Sequence, residues 1–231
     1  MPSGMIAKQQ VKWGFLLPIA DALRSRRETI EYHRLRSKVI HLACHSLASG
    51  RAALHTASMA DRILVETKFL RCIDRDGWFF VERPNAHAVV TVVPVTSNGT
   101  IILVEQFRPP VGRTVIELPA GLVGDAPDRA EEGLESAARR ELLEETGYDA
   151  HRLIPIANCA TSPGVVNEIA SFFLATELVK LHEGGGVDGE EIRVHEVPLA
   201  GAAAWLQQRA AEGKLISAKV YAGLFFAAQA R

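Results

Sequence analysis

The chain has 231 residues, of which 48% are hydrophobic and 23% charged, and its formal net charge is -1. That is the composition of a folded protein with enough chain for one good core, and so even a charge balance gives no footing for a nucleic-acid-binding surface. Cys44, Cys72 and Cys159 are far apart and show no CxxC or Cys/His ligand spacing, which excludes a disulfide framework or a structural zinc site and favours a cytoplasmic location.

Residues 1–58 carry nine Lys and Arg against three Asp and Glu, and four of the eight histidines. This basic N-terminal extension is set apart from residues 59–231, which carry the acidic excess. Tyr32, Leu35, Val39 and Leu42 are spaced for one amphipathic helix. Three readings of the extension stay open: a weakly ordered or non-native leader with Met59 as the working start, a packed helix, or a targeting peptide. No apolar run approaches the roughly 18 residues that span a bilayer. In "WGFLLPIADAL" (13–23) Pro18 and Asp21 interrupt the nearest approach to a signal core, so no membrane partner is expected.

From Ile63 onward the texture is that of strands. "ILVETKFLRCID", the turn "RDG" and "WFFVERP" predict an antiparallel hairpin. "AHAVVTVVPVT", "SNG" and "TIILVEQF" predict a second one, because Asn-Gly between β-rich runs is a strong hairpin signal. "RTVIELPAGL" reads as one short strand entering a loop. After a helix come the strands "RLIPIANCAT", "EIASFFLATEL" and "EEIRVHEVPL", then the helices "AGAAAWLQQRAAEG" and "SAKVYAGLFFAAQ". This order predicts an α/β layer domain with a mixed sheet.

The helix between "IELPAGL" and "RLIPIANCAT" carries the chemistry. It ends in "RRELLEETG" (139–147), where Gly147 is placed to terminate it. On a 3.6-residue period Leu134, Ala138, Glu141 and Glu145 form one stripe, with Ala137 and Glu144 beside it, so acids extend the apolar face. Carboxylates one turn apart are about 5–6 Å from each other and repel by roughly 3 kcal/mol at an effective dielectric of about 20. A solvated acidic helix end is the plainer alternative. Beside a core, however, these acids demand positive charge, and Arg140 is the only base nearby on that side. A hard divalent cation is the economical answer, and magnesium is typical where phosphate oxygens complete the shell.

Arg140-Glu141-Leu142, Glu144-Glu145, Gly147-Tyr148, Glu132 eight residues before Arg140, and Gly121 together resemble the signature of the Nudix hydrolases. The resemblance continues through "DGWFFVERP", "ILVEQFRPPVG", "IELPAGL", "TSPG" and "GGGVDGEEIRVHEVPL", and there it is to the ADP-ribose pyrophosphatase branch. One departure is an insertion: ten residues separate Gly121 from Glu132, where the family usually has five. It lies before the helix and should leave the glutamates in place.

The resemblance implies an α/β/α sandwich with a mixed sheet and an N-terminal antiparallel hairpin, a homodimer, a small-molecule nucleoside diphosphate substrate, and Mg2+ or Mn2+ as cofactor. It implies metal binding by Glu141, Glu145 and the carbonyl of Ala120, with Glu144 either joining them or held by Arg140 to orient a water. Glu190 is the favoured base or extra ligand, in a glycine-rich loop taken to be mobile that also carries Asp188 and Glu191. The G-x-G-x-x-G spacing of that loop is followed by a strand, which argues against a Rossmann site. Arg108 suits a phosphate contact, the alternative being an ion pair with Glu105. Trp78 is matched to an adenine-stacking aromatic, the alternative being core packing. Glu168 is assigned to a ribose hydroxyl and Glu117 to shaping the metal loop, each against an ordinary surface role. His195 is expected to be a strand histidine without function.

Overall fold

The computed structural model describes residues 61–187 and 189–229, all within the compact unit Ser58–Arg231. The readings of residues 1–58, of Met59 as a start and of Asp188 lie outside the described residues.

The first module is a three-stranded antiparallel sheet of β1 (Arg62–Glu66), β2 (Arg71–Arg75) and β3 (Trp78–Glu82). Asp76 and Gly77 both take positive φ, 51° and 86°, and the Asp74 carboxylate accepts the Gly77 N–H at 2.8 Å, which makes the expected tight turn between β2 and β3. The run 63–74 is not one strand. Thr67 breaks it: its hydroxyl oxygen accepts the N–H groups of Phe69 and Leu70 at 3.3 and 3.0 Å, and its own N–H donates to the Leu70 carbonyl.

The remaining strands form two four-stranded sheets. One has the order β10 (Arg193–Pro198), β5 (Thr100–Arg108), β6 (Arg113–Glu117), β11 (Leu215–Ile216). The other has β7 (Ala120–Val123), β4 (Ala88–Pro94), β9 (Ile169–Lys180), β8 (Tyr148–Ala160). The β4–β9 and β6–β11 pairs are parallel and the rest antiparallel, so the expected mixed sheet is present.

Two sequence readings are corrected here. Residues 97–99 do turn, with Gly99 at φ 80°, but β4 and β5 then separate into different sheets and share one bridge, Val95 to Ile101. "RTVIELPAGL" likewise divides at Leu118-Pro119 into β6 and β7, again in different sheets. In the first case the local turn signal was right and the choice of partner was made by tertiary packing; in the second the stretch read as a loop carries a further strand. In addition β8 begins at Tyr148, directly after the helix, earlier than the predicted Arg152.

Period-two alternation sorts the core into two layers. Val90, Val92, Ile102, Phe173 and Ala175 face α1 (Leu134–Thr146), which packs on β4, β7 and β8 through the fully buried Ala137, Ala138 and Leu142. Val93, Ile101, Leu103, Phe172 and Leu174 face the other way, toward α2 (Ala202–Ala211) and α3 (Ala218–Gln229). The result is the expected helix, sheet, helix layering. Leu134, placed on the apolar stripe from its spacing, is 39% exposed, and Leu142 takes its place in the core. No helix among the described residues is long and apolar enough to cross a membrane.

Candidate active site

Gly147 ends α1 in the left-handed region (φ 76°) with its N–H on the Leu143 carbonyl, as its position predicted. The exposed carbonyls of that last turn are taken up by the glycine-rich loop: Gly185 N–H donates to the Glu145 carbonyl at 3.0 Å and Gly186 N–H to that of Glu144 at 3.1 Å. A Cβ on Gly184 would run into the Thr146 backbone, and one on Gly186 into the Glu190 side chain. The glycines therefore serve close approach to the helix end, a different use from the mobility assumed for them, and they bring Glu190 beside the helix glutamates.

Those glutamates sit in two environments. Glu145 is 4% exposed, and its carboxylate accepts one hydrogen bond, from the Ala120 N–H at 3.2 Å. Burial, then the neighbouring Glu141 and Glu190 charges, pushes its carboxyl well above the usual carboxylate range, with Arg108 opposing. Burial also raises Glu141, against the pull of Arg140. A Cβ on Gly121 would overlap the Glu141 carboxyl, so Gly121 in β7 makes the room in which that acid lies.

Arg140 is the hub behind them. Its Nε and Nη2 donate to the two Glu132 oxygens, both at 2.9 Å; Nη1 donates to Glu141 at 2.7 Å and to Glu144 at 3.1 Å; Nη2 also reaches the Leu122 carbonyl at 3.1 Å. The inserted loop after Gly121 thus leaves Glu132 in reach of the helix. Arg140 holds Glu132 below the usual carboxylate range, and its own guanidinium is raised by the same pairing. The one base that the sequence placed here, Arg140, reaches more acids than its spacing suggested. It serves Glu132, Glu141 and Glu144, and makes no hydrogen bond to Glu145.

In front of Glu141 and Glu145 opens a cavity of about 1390 Å³. Of the residues singled out from sequence, Arg108, Ala120, Glu141, Glu145, Glu168 and Glu190 line it, as do Glu117 and Glu191. Glu144 and Arg140 stand behind the lining, so the geometry matches the alternative in which Arg140 holds Glu144. Trp78 stands apart on β3 and is 74% exposed, which rules out core packing for it. Arg108 donates from Nε to Glu117 at 2.6 Å instead of pairing with Glu105. Glu168 meets Arg83 at 3.5 Å.

Sequence reasoning missed a buried cluster at the cavity edge. Glu105 accepts from Lys214 Nζ at 2.5 Å and lies 2.8 Å from His195 Nε2, whose ring stands edge-on to Trp205. His195 therefore has a definite partner. The contacts span 109 and 90 residues of sequence, and no spacing rule could have found them.

Among the described residues no three His, Cys, Asp or Glu side chains already converge closely enough to hold a metal ion alone. Glu141 and Glu145 nevertheless crowd each other in a buried place, Glu145 without a basic hydrogen-bond partner. That donor set fits a hard cation, whose shell water and phosphate oxygens complete.

The model for the NUDIX domain matches residues 85–219. ADP-ribose pyrophosphatase of Bacillus subtilis (strain 168) is 44% identical over 130 residues, 56% of this chain and 66% of that protein. Methanol dehydrogenase activator of Bacillus methanolicus is 35% identical over 111 residues, 48% of this chain and 56% of that protein. GDP-mannose pyrophosphatase of Yersinia pestis (strain Pestoides F) is 35% identical over 139 residues, 56% and 67% of the two. The chain thus spans less than two thirds of the first two relatives' lengths. A solved structure of an ADP compounds hydrolase superposes with a TM-score of 0.52 at 17% identity, covering 68% of this chain and 86% of that one, which speaks for the fold. With more than half of its residues matched by the domain model and the glutamate helix laid out as above, the chain belongs to the Nudix family.

Proposed function

We propose that the chain is a divalent-metal-dependent hydrolase of the diphosphate bond of ADP-ribose, or of a close ADP-sugar, releasing AMP and a sugar phosphate. The observation that carries this reading is the pair of the half-buried Glu141 and the buried Glu145, side by side on the wall of a cavity large enough for a nucleoside diphosphate sugar. The identity to the Bacillus subtilis enzyme supports the substrate class.

Glu141 and Glu145, with the Ala120 carbonyl, would hold the metal, magnesium or manganese. A metal bound there neutralises phosphate oxygens and makes a bound water more acidic. Arg140 fixes the Glu141 and Glu144 carboxylates. Glu190, delivered by the glycine loop, is the group to take the proton of the attacking water as its oxygen bonds to phosphorus and the bridging P–O bond breaks. Arg108 can exchange Glu117 for a phosphate oxygen, a bidentate role that lysine would not fill, and Glu168 is assigned to a ribose hydroxyl. Glu117, freed by that exchange, ends β6 just before Leu118-Pro119-Ala120 and would shape the segment that offers the Ala120 carbonyl.

A homodimer belongs to the proposal. All five residues of β1 are exposed; Val65 and Phe79, on one face of this sheet, are 60% and 59% exposed, and Trp78, on the opposite face, is 74% exposed, so a second copy packed around this module would cover apolar surface and bring Trp78 to a base. The free Cys72 and Cys159 agree with a cytoplasmic setting.

AMP release from ADP-ribose with magnesium tests the reading, in a panel with other ADP-sugars, dinucleotides and GDP-mannose. The similarity to GDP-mannose pyrophosphatase favours GDP-mannose as the second substrate to try. Turnover of ADP-ribose well above the rest is expected, and a folded protein that cleaves none of them would overturn the activity. Gly121→Ala should lower the rate about 100-fold, since a methyl there displaces the Glu141 carboxyl and misplacement by about 1 Å can cost that much; unchanged kcat/KM would show that Glu141 has room to move.

A further inference from the structure

Gln106 and Arg108 both line the large cavity, and by the alternation of β5 they lie on the face where Ile102 packs with α1, the side of Glu141 and Glu145. Directly opposite Gln106 in the β5–β6 ladder is Val115, while Arg108 is opposite Arg113 and Val104 opposite Glu117. The Arg108–Glu117 ion pair therefore runs diagonally past the level of Gln106.

Four polar side chains of the cavity lining are buried: Glu105, Gln106, Glu117 and Glu145. Three of them have partners. Glu105 meets Lys214 and His195, Glu117 meets Arg108, and Glu145 accepts the Ala120 N–H. Gln106 is 9% exposed, and its carboxamide has no hydrogen-bond partner among the described residues. Its oxygen and nitrogen are nevertheless open, unlike the sealed Thr91 Oγ1 and Asp125 Oδ1, and the space they reach is the cavity. Buried polar groups are as a rule hydrogen-bonded, and an exception calls for a partner from outside the chain.

The surrounding charge narrows what that partner is. Eight carboxylates and four basic side chains line the cavity among the described residues, so it is net acidic. Arg83 is tied to Glu168, Arg193 shares the opposite face of β5 with Glu105, and Lys219 belongs to α3 on that other side. Beside the helix glutamates Arg108 is the base that lines the cavity, one cation for the two phosphoryl groups of a diphosphate. Gln106 and Arg108 are two residues apart on one strand face, about 7 Å at the backbone, a spacing that suits adjacent phosphoryl groups. A carboxamide donates from Nε2 without bringing charge, so it takes a phosphate oxygen without repelling a cation held by Glu141 and Glu145.

We propose that Gln106 is a substrate-binding residue whose Nε2 donates to a non-bridging oxygen of the phosphoryl group next to the one held by Arg108. This rests on the proposed function for placing the diphosphate beside Glu141 and Glu145, and it adds a neutral donor to the residues that hold it.

Calorimetric titration in magnesium with the uncleavable methylene-bridged analogues of ADP-ribose and of ADP tests it, on the wild type, Gln106→Met and Gln106→Glu. Both variants keep the reach of the side chain and lose the amide donors. Each should bind both analogues at least about tenfold more weakly, the loss of one hydrogen bond to a charged group. Gln106→Glu, which sets a charge against the phosphate, should lose the more. Because the amide has no partner in the protein, Gln106→Met should leave the thermal midpoint unchanged or raise it; if the midpoint falls, the comparison rests on Gln106→Glu, which has the same shape as the wild type. Wild-type affinity in the variants would overturn the proposal. So would a loss confined to the ADP-ribose analogue, which would put the amide on the terminal sugar, or a wild type that binds neither analogue. The analogues report binding without turnover. A protein that binds them and yet releases no AMP from ADP-ribose would count against the proposed activity alone.

Discussion

Glu145→Gln is expected to lower AMP release from ADP-ribose by several powers of ten while making the metal-free protein more stable. The two effects have one cause. Glu145 is a nearly fully buried carboxylate with a single backbone N–H as partner, close to Glu141 and Glu190. Its folded-state carboxyl is raised above the ordinary value of 4.5. The penalty of ionising it is therefore absent in acid, where it is protonated in the folded and unfolded chain alike, and grows as pH rises from about that value toward the raised one. Glutamine keeps the shape and the contact with Ala120 without the charge. At neutral pH the variant should melt higher by at least about 2–4 °C, which is what 1 kcal/mol gives a chain of this size, and its stability should be flatter with pH. Thermal melts of both proteins in chelator from pH 4 to 8, as round test values, check this. A variant that is inactive because it is unfolded, or a wild type equally stable across that range, would contradict the assignment.

The second large effect is expected at Arg140. It is 18% exposed at the side chain and satisfies Glu132, Glu141, Glu144 and the Leu122 carbonyl at once. Arg140→Met leaves three mostly buried carboxylates unpaired, and breaking such a cluster from one side costs about 3–5 kcal/mol. Urea unfolding should show that loss. Arg140→Lys should recover little of it, because an ammonium cannot serve Glu132 through two parallel bonds while reaching Glu141. Glu132, held below the usual range chiefly by its bond to Arg140, contributes stability that is present above the ordinary 4.5 and is lost as pH falls through its lowered folded value. The acid limb of the stability curve should accordingly be shallower in Arg140→Met. A loss below about 1 kcal/mol, the range of an exposed ion pair, would demote the hub to a surface contact.

The helix was the most legible part of the fold. Its period, its glycine stop and the run of acids on its buried side are local features, and the structure returns all three. Strand partners were far less legible. The turn at Thr67 is made by a hydroxyl without Gly, Pro or Asn, and so left no signal in a run that reads as continuous strand. Asn98-Gly99 announced a turn correctly, yet β4 and β5 are drawn into separate sheets by β9 and β10, which lie more than 65 residues further on. Within the site, the i,i+4 pair of Arg140 and Glu144 was readable from helical spacing. The bidentate grip on Glu132 was not, because Glu132 precedes the helix and follows the inserted loop. Glu105, His195 and Lys214 meet only once β5, β10 and the approach to β11 are assembled.

The account rests on Glu141 and Glu145 forming a place for a divalent cation. Calorimetric titration of magnesium, and separately manganese, into the wild type and into Glu145→Gln without nucleotide tests this most directly. Saturable binding to the wild type, weakened at least tenfold in Glu145→Gln, is the predicted result. No binding to the wild type, or equal binding to both proteins, would contradict it.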